Sequence, residues 1–231
     1  MRFTLSIASI IVIVIFSLIG CNKKENTTEI STNESATVRK SLDNIISPDT
    51  IDIQRAFFEK TYGPAKRILG DITEYEIGKC LIKIEYDKNN SITSVELANI
   101  SKECNFNGKN IYLNSMADQI NYAEIISVAM DWNAKLSCYT MCGNAADPDY
   151  GAYIETARVY GSIEFDATTD YSSSEKASDN VEKYFKMKYP SVDLIGGDIG
   201  SIPKDEYKKI WFENFKDVKL TSIKFGYNLK K

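Results

Sequence analysis

Polar and apolar positions change period several times along this chain, and the changes mark its parts. Leu5 to Leu18 is a mostly apolar run behind a single Arg2. It falls short of the ~20 apolar residues that a comfortable membrane span needs. Asn22 to Ile46 is rich in Asn, Lys, Glu, Ser and Thr and shows no apolar period. Such a composition does not offset the entropy of ordering, so residues 21–46 are expected to form a disordered tether. About 25 residues of flexible coil span roughly 25–30 Å on average.

The first folded pattern opens at Ser47-Pro48-Asp49. Asp49 or Thr50 can cap a helix over Ile51–Thr61, with Ile53, Ala56 and Phe57 on one face, and Tyr62-Gly63-Pro64 stops it. The period then shortens to two. Thr73–Ile77, Cys80–Tyr86 and Ile92–Leu97 read as strands, the second alternating Ile82, Ile84 and Tyr86 against Leu81, Lys83 and Glu85. Asp87 to Ser91 reads as a hairpin turn, because Asn and Asp tolerate positive φ. A helix followed by a three-stranded antiparallel meander is the economical arrangement.

The second half opens with Ser115 as an N-cap and Met116, Ile120, Ala123, Ile126 and Met130 at helical spacing. Cys138 to Gly151 reads as a loop, and Tyr153–Val159 and Ser162–Ala167 as strands. Glu175–Tyr189 is a helix ended by Pro190, Asp193–Pro203 a Gly-rich loop, Asp205–Phe215 a helix and Val218–Tyr227 a closing strand. No fixed-period repeat occurs. The fold class is therefore α+β in four segments: a leader over 1–20, the tether over 21–46, a helix-and-meander subdomain over 47–112, and a second α+β subdomain over 113–231.

The apolar run ends in Leu18-Ile19-Gly20-Cys21. This resembles the lipobox of bacterial lipoproteins, which implies cleavage before Cys21, a thioether lipid on its sulfur, and palmitate-type acylation. Several acyl chains together anchor a protein stably. By resemblance to the sorting rule of enteric bacteria, Asn22 implies the outer membrane facing the periplasm where the cell has two membranes. With one membrane, it implies the outer leaflet of the cell membrane. Ile51 to Leu97 in turn resembles the small lipoprotein domain of the BamE/SmpA type, related in shape to β-lactamase inhibitor protein. The resemblance rests on the short helix, Tyr62-Gly63-Pro64-Ala65, Thr73-Glu74-Tyr75-Glu76-Ile77, Leu81-Ile82-Lys83-Ile84-Glu85-Tyr86-Asp87 and Ile92-Thr93-Ser94-Val95. It implies contact with another envelope protein, without catalysis. The long C-terminal half departs from that pattern.

Composition narrows the chemistry. The chain has 231 residues, a formal charge of −4 and no histidine. Loss of Arg2 with the leader would leave about −5, and no basic stripe is present to neutralise phosphates, so no nucleic-acid partner is expected. The missing histidines exclude Ser-His-Asp and Cys-His nucleophiles and imidazole metal sites. With Cys21 set aside, Cys80, Cys104, Cys138 and Cys142 make an even number, and an exported chain uses such a set as disulfides. Three connectivities are possible; Cys80–Cys104 and Cys138–Cys142 are favoured.

Each remaining candidate has a plainer reading beside it. Cys138 and Cys142, with Asp147 and Asp149 near, offer a redox pair or half a metal site, but three residues intervene where redox pairs usually have two, and a structural staple is preferred. Asp147, Asp149, Asp166 and Asp170 match no calcium loop. Glu155 and Glu164 on adjacent strands have the residue types for glycosidic cleavage, yet alternating Glu is the ordinary solvent face of an antiparallel sheet. Gly196 to Ser201 lacks the Lys-Ser/Thr ending of a phosphate loop. Tyr207, Trp211, Phe212 and Phe215 form a broad helical face, with Phe212 toward its edge, and Trp132 and Phe212 are the candidate interface residues. No catalytic residue, cofactor or metal is assigned. The expected role is a non-catalytic, membrane-anchored envelope module that binds another protein in assembly or structural maintenance. The alternatives are an inhibitor or protective factor acting on a periplasmic enzyme, and, behind it, a thiol- or carboxylate-based enzyme.

Overall fold

The computed structural model describes residues 27–136, 150–155, 164–169, 171–191, 202–227 and 229. The chain divides into two compact units, Met1–Ala36 and Thr37–Lys231. Of the first unit the described residues are the opening turns of helix α1 (Thr27–Ile45).

The α1 helix corrects the expected tether. Val38, Leu42, Ile45 and Ile46 recur at helical spacing, and the last three are wholly buried. Their burial supplies what the polar residues around them do not. Asp43 adds a second fastening, its carboxylate accepting from the Asn107 backbone N–H at 2.7 Å while its carbonyl accepts from Asn110 Nδ2 at 2.7 Å.

Ser47 caps only a single turn, Pro48–Thr50, and Asp52 takes a left-handed backbone with φ 72°. Helix α2 (Arg55–Tyr62) therefore starts later than the sequence predicts. The shift moves its apolar face by one residue. Phe58, not Phe57, packs on the sheet, 4.8 Å from the Tyr62 ring and 4.9 Å from that of Tyr75, and Phe57 is 60% exposed. Gly63, at φ 100°, ends the helix as expected.

Strands β1 (Arg67–Leu69), β2 (Ile72–Ile77), β3 (Cys80–Tyr86) and β4 (Ile92–Leu97) form an antiparallel meander. The last three match the predicted runs to within a residue, and β1 is an addition. In the β3–β4 turn, Asp87 Oδ1 accepts from the N–H groups of Asn89 and Ser91, both at 2.8 Å, and Asn90 supplies φ 60°. Cys80 and Cys104 are bonded, tying β3 to the loop that leaves β4. This is the favoured pairing; Cys138 and Cys142 lie outside the described residues.

The long helix expected from Ser115 to Met130 is broken. Ala117–Gln119 makes one tight turn, Ile120 is extended, and α3 (Tyr122–Ser127) starts anew with Asn121 Oδ1 accepting from Glu124 N at 2.9 Å. Glu124 Oε1 accepts from the N–H groups of Asn114 and Ser115 at 2.7 and 2.8 Å, while Ile120 O and the N–H groups of Tyr122 and Ala123 bond the backbone of Leu220, Val218 and Lys216 instead of a continuous helix. Met130, the last residue of the expected helical stripe, is 73% exposed.

Strand β5 (Asp131–Leu136) follows, then β6 (Tyr150–Glu155), β7 (Glu164–Thr169), helices α4 (Tyr171–Lys188) and α5 (Lys204–Phe215), and β8 (Ser222–Gly226). The sequence reading has no strand at β5 and places β6 a few residues late. The eight strands of the described residues join one antiparallel sheet in the order β1-β2-β3-β4-β8-β7-β6-β5. The halves on either side of residue 112 are thus joined through β4 and β8, with Val95 opposite Phe225 and Leu97 opposite Ile223. One sheet face carries the core, where Ile82, Ile84, Val95, Leu97, Phe165, Ile223 and Phe225 meet Phe185 of α4 and Trp211 and Phe215 of α5.

Gly226 sits in the β4–β8 seam where a Cβ would lie 2.3 Å from the Thr93 carbonyl oxygen and 2.8 Å from Ser94 Cα. Backbone cannot yield there without opening the seam. Gly226→Ala is expected to cost about 2–3 kcal/mol in urea-induced unfolding. The Cys80→Ala/Cys104→Ala double variant should lose about 3 kcal/mol by the same measurement, from the loop entropy the bond removes.

Candidate interaction surface

The sheet face away from the core carries a row of paired charges. Successive register partners across the strands are Arg67, Glu74, Lys83, Glu96, Lys224, Asp166, Tyr153 and Asn133. The first six alternate in sign. Arg67 donates to both carboxylate oxygens of Glu74 at 2.9 and 3.1 Å, and Lys83 Nζ lies 3.1 Å from Glu96 Oε1. Lys224 Nζ reaches Glu85 Oε1 at 2.7 Å, Ser94 donates to Glu85 Oε2 at 2.9 Å, and Ser222 donates to Glu96 Oε1 at 3.0 Å. These pairs satisfy one another, so the middle of this face offers little unspent charge to a ligand.

Two further polar clusters are closed in the same way. Under α2, Tyr75 donates to Glu59 at 3.1 Å and lies 2.7 Å from the Tyr86 hydroxyl, while Arg55 Nε bonds Glu59 at 2.8 Å and its guanidinium covers the Tyr86 ring at 5.4 Å. Burial, and then the Tyr75 hydrogen bond, push the Tyr86 hydroxyl far above its ordinary range. Between α4 and α5, Glu206 accepts from Tyr184 at 2.9 Å, Tyr189 at 2.8 Å and Lys188. The Lys188 hydrogen bond, then that of Tyr189, hold its carboxyl below the usual range. Among the described residues, each shifted tyrosine and lysine moves up and each shifted carboxyl moves down, away from neutrality. A general acid or base needs the opposite. No group of three or more Cys, Asp or Glu among the described residues is arranged to hold a metal ion.

The two candidate interface residues do come together. On β5, Trp132 is half-buried, its ring 5.7 Å from that of Trp211 and 6.1 Å from that of half-buried Phe212. Lys208 Nζ stands 4.9 Å from the Trp132 ring centroid and 3.1 Å from Asp131 Oδ1, an oxygen that also accepts from the Trp132 backbone N–H at 2.8 Å. Asp131 thus fixes both the cation and the strand beneath it. Behind this outer layer, Trp211 is wholly buried, stacked on Phe215 at 4.5 Å and edge-on to Tyr122 at 4.9 Å. The outer layer is therefore an amphipathic patch on rigid backing, with exposed Met130 at its start. Among the described residues, the outer edge of β5 pairs with no strand. Sequence reasoning found the two aromatic residues but missed β5, Lys208 and Met130. The alternation of Trp132, Ala134 and Leu136 against Asp131, Asn133 and Lys135 was the available signal.

The remaining candidates are placed as follows. Cys21, Cys138, Cys142, Asp147, Asp149 and Asp170, and the glycine-rich 196–201 stretch, lie outside the described residues. Asp166 belongs to the charged row. Glu155 and Glu164 are direct register partners, and Glu164 accepts from the Leu229 backbone N–H. Buried Cys80 and Cys104 serve the fold. Among the described residues, no helix is long and apolar enough to cross a membrane. Comparison with protein-family models, curated proteins and solved structures found no match.

The Lys208 hydrogen bond, followed by that of the Trp132 N–H, holds the Asp131 carboxyl below the usual carboxylate range. A depressed folded pKa stabilises above the unfolded value and is lost as pH falls through the folded one. Tryptophan emission should therefore stay constant through the ordinary carboxylate range and change only at more acid pH, as Lys208 leaves the ring. In Lys208→Met this acid step should be absent from the fluorescence titration.

Proposed function

We propose that this chain is a bacterial lipoprotein, anchored by lipid on Cys21, whose folded part docks onto another envelope protein without catalysing a reaction. The observation that carries the docking reading is the Trp132 patch. A tryptophan is held half-exposed by a cation–π contact and an ion pair, against a packed aromatic base, beside a sheet edge that pairs with no strand among the described residues. Rigid amphipathic aromatics rimmed by polar groups are what protein interfaces use as anchors. The Gly20-Cys21 ending of the leader supports the anchor, and the resemblance of Ile51–Leu97 to BamE/SmpA-type domains points to a protein partner in the envelope.

Two measurements test the two halves of this reading. Cys21→Ala should move the protein from the membrane to the soluble fraction and remove the lipid mass from its N-terminal peptide. An unchanged distribution and mass overturn the anchor. In cells, chemical crosslinking of the lipidated chain should capture a protein partner whose yield falls at least ~10-fold in Trp132→Ala, the loss expected of an interface anchor. Equal yields overturn the docking site. If the captured partner is an enzyme and loses activity in the complex, the role is that of an inhibitor.

A further inference from the structure

The edge strand at the patch is complementary to itself. We infer that the partner at β5 is a second copy of this chain, paired antiparallel through Asp131–Leu136 about a two-fold axis at Asn133. This rests on the docking reading above and names its partner.

The register decides the case. On β5, Asp131, Asn133 and Lys135 occupy the register positions of the polar face that bears the charged row, and Trp132 and Ala134 those of the face toward α5. An axis at Asn133 places Asp131 of each copy opposite Lys135 of the other. It also places Trp132 opposite Ala134, a large side chain against a small one. Opposite charges and complementary sizes at facing positions are what stabilise strand pairs. Neighbouring registers lose both features. With the axis at Trp132, the two tryptophans face each other and Asp131 faces Asn133. With the axis at Ala134, Lys135 faces Asn133. Moving it to Asp131 or Lys135 sets like charges opposite each other.

Electrostatics along the edge agree. Asp131, Glu155 and Glu164 are successive register partners across β5, β6 and β7, three carboxylates beside Lys208, which Asp131 already holds at 3.1 Å. The second copy supplies a lysine there. The pairing continues both faces of the sheet across the axis, core face to core face, and brings exposed Met130 to the rim. The opposite edge of the sheet does not have this property. In β1, the equivalent pairing sets Arg67 against Leu69 over three residues.

The test uses the full chain in detergent micelles, followed by sedimentation equilibrium. The parent chain should dimerise in the micromolar range, as a small strand-edge interface would. Asp131→Lys and Lys135→Asp should each weaken the dimer about tenfold or more, by facing like charges across the seam. Mixed in equal amounts, the two variants should bind each other about tenfold or more tightly than either binds itself, since each supplies the charge that the other lacks across the seam, although Asp131→Lys also loses its own Lys208 pair. Recovery on mixing also shows that both are folded. Asn133→Cys, on the axis, should give a disulfide-linked dimer with oxidised glutathione beyond any formed by the parent. A parent that remains monomeric at on the order of 100 μM, a dimer indifferent to both charge reversals, or an Asn133→Cys variant that crosslinks no more than the parent overturns the inference. The docking reading survives those results if Trp132→Ala still abolishes capture of a different protein, and falls if capture is unaffected.

Discussion

The pairing of β4 with β8 is the constraint on which the rest of the structure depends. The last strand of the chain lies in the middle of the sheet, and its partners in β4 precede it by more than a hundred residues. Without it, β4 and β7 would each present an open edge to water. Closing so long a loop costs entropy before any contact rewards it, so the seam forms late or together with its neighbours. Both halves then share one core, in which Val95 and Leu97 meet Ile223 and Phe225. The close approach at Gly226, with the Thr93 carbonyl where a side chain would stand, is the local cost of that seam.

The charged row belongs to the same logic. A surface ion pair contributes at most about 1 kcal/mol, and often nothing, so the row is not a major source of stability. Its alternation of sign selects a register instead. Sliding β8 by two residues against β4 would take Lys224 away from Glu85 and Glu96, and Ser222 away from Glu96. Apolar side chains on the core face tolerate exchange of one for another, but half-buried charges do not tolerate the loss of an opposite partner. The polar face thus specifies what the core face stabilises.

What the sequence discloses follows from which forces act locally. The meander strands, the Asp87–Ser91 turn and helix α5 are set by short-range alternation, turn chemistry and period, and the sequence reading places them closely. The failures have one cause in common. The α1 segment looks polar because Leu42, Ile45 and Ile46 are few, yet each is fully buried by residues far away in the chain. The Ser115–Met130 pattern fits a helix, but Ile120, Tyr122 and Ala123 give their backbone groups to Leu220, Val218 and Lys216, far away in the chain, and this divides it. At the candidate site, Trp132 and Phe212 were legible as amphipathic aromatics. Lys208 was not, because only the tertiary fold brings α5 against β5.

The two ends of the sheet are unequal, and the inequality limits what can assemble. A sheet with two comparable open edges invites head-to-tail growth into fibres. Here β1 is three residues long, with Arg67 tied back to Glu74, so it offers few hydrogen bonds to a newcomer. The β5 edge is twice that length and carries its own complement in Asp131 and Lys135. A β1-to-β5 contact would use only three residues and leave the aromatic patch unmatched, whereas β5 against β5 uses the longer edge and then has no equal edge left. Self-complementarity at one end, with a blunt strand at the other, favours a closed pair over an open chain.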